Sequence, residues 1–130
     1  PEQLENLNII YEPKDIFVFA DKNRITQVIF NLLGNSVKFT DEGSIHIDVK
    51  IERNLVKNIE NVIVSISDTG QGIDPDILPR LFTKFASKSF EGTGLGLFIS
   101  KSIINSHNGK IWAVNNPDGG ATFYFKIPQQ

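Results

Sequence analysis

The segment 24–38 carries Arg24, Gln27, Asn31, Asn35 and Lys38 at three- and four-residue steps. At about 100° per residue these side chains form one narrow polar stripe along a helix. Asparagine is a mediocre helix former, and a mid-helix glycine such as Gly34 costs about 1 kcal/mol relative to alanine, so helix stability did not select this composition. Carboxamide oxygens are hard, neutral ligands. Asn31 and Asn35 are therefore suited to holding a hydrated Mg²⁺, with Lys38 one turn on to meet a phosphate. Taken alone, a solvated face carrying amides by chance explains the stripe about as well.

A second constellation is DTGQGI, Asp68 to Ile73, which directly follows an apolar run. Gly70 and Gly72 permit positive φ and close backbone approach to a ligand, while an ionised Asp68 can only accept hydrogen bonds and so suits an exocyclic amine. Asp-Thr-Gly is also good chemistry for a plain turn after a strand. The third constellation is EGTGLGLFIS, residues 91–100, with glycines at 92, 94 and 96. It is neither the G-x-G-x-x-G of a dinucleotide fold nor the G-x-x-x-x-G-K-[ST] of a Walker A loop. What survives is a general property: bare backbone N–H groups at a helix N-terminus bind anions, and phosphate is the natural guest. A flexible linker feeding a helix would not need Leu95 and Leu97 alternating with the glycines.

The elements that must position these residues are legible in outline. IFVFA (16–20) reads as a buried strand, and Asp21 as the N-cap of a helix whose Ile25, Val28, Ile29, Leu32, Leu33 and Ser36 face the core. Asp41, Glu42 and Gly43 form a turn. SIHIDVKIE (44–52) alternates with period two, and VIVSIS (62–67) follows a polar turn at 57–61, predicting a hairpin. The stretch 68–93 is rich in glycine, proline, serine and lysine and predicts no single long helix. Leu97 to His107 reads as a second long helix ending near Asn108 and Gly109. KIWAVNN and ATFYFKIP are closing strands joined through PDGG. Residues 1–15 mix proline, asparagine and acidic side chains with Leu4, Leu7, Ile9 and Ile10, as a leading strand or linker would. This order predicts an α+β sandwich with helices on one face of a mixed or antiparallel sheet.

Composition excludes several function classes. The 130 residues, 40% of them hydrophobic, match one soluble globular domain with a substantial core. Thirteen basic against fifteen acidic residues leave a net charge of -2, which gives no electrostatic basis for binding nucleic acid or an anionic membrane. The absence of cysteine rules out disulfides and thiolate metal sites and suits a reducing compartment. No apolar run approaches the roughly 20 residues that span a bilayer, and no signal-peptide pattern is present.

NLLGNSVKFT, DTGQGI, LFTKF and GTGLGL, in this order and at these distances, resemble the N, G1, F and G2 boxes of the ATP-binding catalytic domain of sensor histidine kinases. That domain lies within the gyrase, heat-shock chaperone, histidine kinase and mismatch-repair ATPase superfamily. The trailing HNGKIWAVNNPDGGATFYFKIP also resembles how the domain ends, so the resemblance covers roughly Asp15 to Pro128. It implies a Bergerat-type ATP-binding fold, a two-layer α/β sandwich in which about five strands in a mixed, mostly antiparallel sheet are covered on one face by about three helices. It further implies one such domain over 1–130, with 1–14 as a leading segment. The dimerisation domain that bears the phosphorylated histidine is expected to be absent, and the start at Pro1 without methionine agrees with an excised domain.

By the same resemblance, Asp68 accepts a hydrogen bond from the adenine amino group, and Gly70, Gly72 and Ile73 shape the wall of the adenine pocket. Asn35 ligates Mg²⁺, Asn31 lies beside it at the metal or the phosphates, and Lys38 contacts phosphate. The run Gly92, Thr93, Gly94, Leu95, Gly96 and Leu97 forms the phosphate side, its glycines letting a lid close and the next helix present its N-terminus. Phe82 and Phe85 match the aromatic box that anchors the lid, a role compatible with plain core packing. Lys84, Ser87, Lys88 and Ser89 lie within reach of the phosphates on the lid, though a solvated loop explains each singly. Thr122 occupies a place where the family often sets a hydroxyl near the adenine.

Hydrolysing members of the superfamily carry a glutamate four residues before the metal asparagine, as general base for water, and here that place is Asn31. The resemblance therefore implies an enzyme poor at hydrolysis. It would position Mg-ATP for transfer of the γ-phosphoryl group to a histidine on the dimerisation domain, as a two-component sensor kinase does. Neither His46, in an alternating strand, nor His107, at a helix end, reads as the acceptor. The implied partners are that dimerisation domain and, downstream, the receiver domain of a response regulator, with no nucleic acid and no direct membrane contact. The fragment is expected to be monomeric and cytoplasmic. Two departures stand out: the stretch between Phe85 and Gly92 is short for a lid, and HNG replaces the commoner HGG. Two alternatives stay open, an anti-sigma-type serine kinase and a non-catalytic nucleotide-responsive module. The missing glutamate counts against the first, and the intact boxes count against the second.

Overall fold

The computed structural model describes residues 7–11, 20–40, 42–84 and 95–129. Five strands form one sheet: β1 (Leu7–Tyr11), β2 (Gly43–Asn54), β3 (Ile59–Asp68), β4 (Lys110–Asn115) and β5 (Ala121–Pro128), in the order β1-β2-β3-β5-β4. β1 runs parallel to β2, and every other neighbouring pair is antiparallel. The leading segment thus contributes an edge strand. Among the described residues there are two α-helices, α1 (Lys22–Phe39) and α2 (Gly96–Ser106), and one 3-10 turn at Leu78–Arg80, against the roughly three helices expected. Pro79 sits at the start of that turn, where it is tolerated, within a segment otherwise too rich in breakers for a long helix. Strand IFVFA lies outside the described residues except for Ala20. No described helix is long and apolar enough to cross a membrane.

Asp21 caps α1 as expected, its carboxylate accepting from the backbone N–H groups of Asn23 (3.1 Å) and Arg24 (3.2 Å). Asp21→Ala should therefore lower stability by about 1 kcal/mol, read as a drop of several degrees in Tm, with nucleotide affinity unchanged. The cap backbone also ties α1 to α2, because Asp21 N–H donates to His107 Nε2 at 3.1 Å. The Ile103 carbonyl, 2.8 Å from His107 Nδ1, can only accept, so Nδ1 carries the hydrogen and Nε2 is the acceptor. His107 is thus a structural strut between the end of one helix and the start of the other.

Strand alternation divides the sheet into two unlike faces. Ala121, Phe123, Phe125 and Ile127 of β5 point toward the helices and are each 3% exposed or less. They meet Val28 and Leu32 of α1, Ile103 and Ile104 of α2, and Ile45 and Ile66 of the neighbouring strands. Burial of each of these larger side chains contributes about 1.5–3 kcal/mol. The opposite face carries Trp112 stacked on Tyr124, with ring centroids 5.1 Å apart. Between β2 and β3 the turn falls at 55–58, earlier than the 57–61 expected. Asn54 Oδ1 accepts from Val56 N–H and Lys57 N–H, and Asn58 adopts φ 54°, so the two asparagines bracket the reversal. Asn108 takes a similar left-handed conformation (φ 61°) after α2, which asparagine tolerates, so HNG closes the helix as a glycine pair would.

Candidate functional site

Asp68 ends β3 with its side chain turned toward the helices and only 2% exposed. Oδ1 accepts from Gly70 N–H at 3.0 Å and from Ala121 N–H at 3.1 Å. Oδ2 is equally buried and has no partner among the described residues. A buried polar atom left unpaired costs about 1–3 kcal/mol, more when charged, so this oxygen is available to a donor from outside the described residues. An adenine amino group fits it, since a carboxylate oxygen saturated on one side offers its lone pairs on the other.

The loop after Asp68 is clamped from two directions. Gln71 N–H donates to the Phe39 carbonyl at 3.2 Å, and a Cβ on Gly70 would lie 2.1 Å from that same oxygen. Gly70 is therefore bare because the end of α1 occupies the space, whereas the sequence had suggested ligand approach. Gly72 does carry positive φ, at 81°. Ile73, 6% exposed, is held by a two-way pairing: its N–H donates to Asn115 Oδ1 (2.7 Å) and its carbonyl accepts from Asn115 Nδ2 (2.8 Å). Asn116 Nδ2 donates to the Asp68 carbonyl at 3.2 Å, and Gly120, at φ 81°, lies so close to it that a Cβ would fall 2.0 Å from the oxygen. Asn115, Asn116 and Gly120 thus fix the backbone around Asp68 and Ile73. Sequence reasoning had read them only as the closing strand and turn.

Thr122 requires a correction. Its register partner is Ser67, so it shares the sheet face of Tyr124 and Trp112, opposite to Asp68. Its hydroxyl is hydrogen-bonded to Ser67 Oγ (2.8 Å) and Asn116 Oδ1 (2.7 Å), which supports the turn from behind. The strand residue that touches the Asp68 carboxylate is Ala121, through its backbone.

On α1, Asn31 and Asn35 are half-buried, while Arg24, Gln27 and Lys38 are exposed. Asn35 Nδ2 donates to the Asn31 carbonyl at 2.8 Å, which commits the amide nitrogen to the helix, so that Oδ1 is the atom that could hold a metal. Among the described residues no three His, Cys, Asp or Glu side chains converge as a metal site. A neutral amide oxygen completed by phosphate and water suits Mg²⁺, which keeps much of its hydration shell. Asn31 Nδ2 donates to the Gly96 carbonyl (3.3 Å) and to Ser100 Oγ (3.1 Å), bringing the amide stripe against the first turn of α2.

The remaining candidates divide. Leu97 is 6% exposed and belongs to the hydrophobic core, so its alternation with the glycines serves packing. Leu95 is the half-buried residue before α2 and Gly96 the first of the helix. Phe82 packs against the core, and Lys84 Nζ lies 5.0 Å from the centre of the Phe98 ring on α2. Phe85, Ser87, Lys88, Ser89, Gly92, Thr93 and Gly94 lie outside the described residues.

Residues 20–130 match the family described as histidine kinase-, DNA gyrase B-, and HSP90-like ATPase. The chain is 46% identical over 125 residues to sensor protein KdpD of Clostridium acetobutylicum, covering 91% of this chain and 13% of that protein. It is 36% identical over 127 residues to sensor protein FixL of Bradyrhizobium diazoefficiens, covering 98% and 25%. It therefore spans a quarter or less of the length of these curated relatives. Among solved structures, the catalytic domain of histidine kinase ThkA matches with a TM-score of 0.80 at 34% identity, over 95% of this chain and 81% of that one. Full-length ShkA in complex with AMPPNP matches with a TM-score of 0.79 at 30% identity, over 98% of this chain and 27% of that one. With a family match over residues 20–130 and, among the described residues, a five-stranded mixed sheet and two α-helices, the chain belongs to the histidine kinase-, DNA gyrase B-, and HSP90-like ATPase family and has the α+β fold of a histidine kinase catalytic domain.

Proposed function

We propose that the chain binds Mg-ATP and donates its γ-phosphoryl group to a histidine carried by a separate dimerisation domain, within a two-component sensor kinase. The observation that carries the reading is the Asp68 carboxylate, with Oδ1 held by two backbone N–H groups and Oδ2 buried without a partner among the described residues. Oδ2 receives the adenine amine, and the Gly72–Ile73 wall, fixed by Asn115, sets the plane of the base. In this reading Lys38, in the last turn of α1, supplies a cation to the phosphates, and the first turn of α2 supplies backbone N–H groups to the same charge. Asn35, through Oδ1, would hold Mg²⁺, which when bound would supply charge neutralisation on the phosphate oxygens.

In the transfer, the bond between Pγ and its bridging oxygen breaks, a P–N bond forms to an imidazole nitrogen, ADP leaves, and the histidine proton goes to solvent. The chain's work is alignment and electrostatic stabilisation, which phosphoryl transfer chiefly asks for. Asn31 is an amide and cannot take a proton from water, so transfer is favoured over hydrolysis. The dimerisation domain and, further on, a response regulator receiver domain are the partners in this reading.

The test is incubation with γ-labelled ATP, Mg²⁺ and a matching dimerisation domain. Label stable to base and labile to acid supports phosphohistidine. ATP binding without any label on the partner rejects the transfer. For the metal end, Asn35→Ala should remove the Mg²⁺-dependent part of nucleotide affinity, a loss of about tenfold or more in calorimetric titrations with metal. Equal affinities for wild type and variant, with and without Mg²⁺, would take Asn35 out of this role.

A further inference from the structure

Ser100 is a polar residue where α2 should be apolar. It is 0% exposed and shares its face with Leu97, Ile103 and Ile104, all core residues. Valine would fill such a place, and a buried hydroxyl is costly unless it is hydrogen-bonded. Its partner is Asn31, whose Nδ2 reaches Ser100 Oγ at 3.1 Å and the Gly96 carbonyl at 3.3 Å. The carbonyl has no hydrogen to give, so the nitrogen of the Asn31 amide must be the atom turned to α2. A carboxylate at position 31 would set an anionic oxygen against that carbonyl. The start of α2 is thus shaped for a donor at 31, and Asn31 in turn accepts from Asn35 Nδ2 through its own carbonyl at 2.8 Å.

We propose that Ser100 is a positioning residue of the nucleotide site: with the Gly96 carbonyl it locks the Asn31 amide in one orientation, so that the metal end of α1 and the first turn of α2 hold a fixed geometry. This rests on the nucleotide-binding reading above. The lock also accounts for the amide at 31, because a carboxylate there could accept from the Ser100 hydroxyl but has no hydrogen for the Gly96 carbonyl.

The test measures AMPPNP affinity of the wild-type chain, Ser100→Ala, Asn31→Ala and the double variant, with the Asn31 side-chain NH₂ resonances followed by NMR. The pair Ser100→Thr and Ser100→Val, equal in volume and different in the hydroxyl alone, separates hydrogen bonding from packing should the alanine variant fold poorly. Ser100→Ala is expected to bind about five- to tenfold more weakly, the double variant no more weakly than Asn31→Ala, and the Asn31 NH₂ pair to shift. Ser100→Thr is expected to bind more tightly than Ser100→Val by about the same factor. Multiplying losses, equal binding by the Thr and Val variants, or an unmoved Asn31 NH₂ pair would overturn the lock. If wild type binds and Ser100→Ala binds equally well, this inference alone falls. If wild type binds no nucleotide, the functional reading falls and takes the inference with it.

Discussion

Asp68→Asn should lose ATP affinity by about a hundredfold while the domain keeps its fold. The amide oxygen of the variant can still accept from Gly70 N–H and Ala121 N–H, so the local backbone stays capped. What changes is the other atom: an NH₂ group replaces Oδ2, and the adenine amine meets a donor where it needs an acceptor. Losing a hydrogen bond to a buried carboxylate and leaving two donors facing each other has this order of effect. Thermal stability should change little or rise slightly, because a desolvated carboxylate with one unpaired oxygen is removed. Inosine and guanosine triphosphates present an oxygen at the corresponding position and should lose far less, so the ratio of ATP to GTP affinity should collapse. Calorimetric titration with both nucleotides, beside thermal unfolding, reads all three effects; undiminished ATP affinity would show that Asp68 does not read the base.

Gly120→Ala should act on the same site from behind. A Cβ at this position would sit 2.0 Å from the Asp68 carbonyl oxygen and 2.9 Å from Oδ1, and the backbone is at φ 81°. These atoms belong to backbone and to a carboxylate already held by two N–H groups, so none can move aside cheaply. Steric displacement and the left-handed conformation together should cost about 3 kcal/mol or more. Gly119→Ala is the natural control, since φ there is 109° but a Cβ would meet nothing within 4 Å. That variant should show the conformational cost alone, about 1–2 kcal/mol. Denaturant unfolding separates the two. Nucleotide affinity should fall in Gly120→Ala beyond what instability explains, because Asp68 itself is displaced; equal stability losses at 119 and 120 would contradict the close approach.

The contrast between Asp68 and Thr122 shows what kind of information the sequence carries. The place of Asp68 in the fold was legible because its signal is local: an acceptor at the end of an apolar strand, followed by glycines, within a recognisable box. The side of the sheet that Thr122 takes was not legible, because in a strand one residue is the whole difference between the two faces. Only the pairing of Ser67 with Thr122 decides which side the hydroxyl takes, and that pairing spans a large sequence separation. The Asn115 clamp on Ile73 was missed for the same reason, being a contact between residues 42 apart with no local signature. The glycines were noticed for their flexibility, yet Gly70 is required by the carbonyl of Phe39, a steric fact that depends on how α1 ends.

The helices were the most legible part of the fold. Asp21, the apolar stripe from Ile25 to Ser36 and the Asn108–Gly109 stop are signals within a turn or two of the residues they govern. β1 was the least legible, since a five-residue strand joined in parallel to β2 across an intervening helix depends wholly on non-local pairing. The amide stripe falls between these cases. Its periodicity placed Asn31 and Asn35 on one face, but only the packing of α1 on α2 shows that Asn31 spends its nitrogen on Gly96 and Ser100.

In the proposed function Asp68 Oδ2 receives adenine and the amide stripe of α1 marks the phosphate and metal end. A crystal structure of the chain with AMPPNP and Mg²⁺ tests it most directly. The account predicts the adenine amino nitrogen at about 3 Å from Asp68 Oδ2, Asn35 Oδ1 on the metal and the phosphates between α1 and the first turn of α2. A base bound away from Asp68, with Oδ2 still lacking a partner, would contradict it.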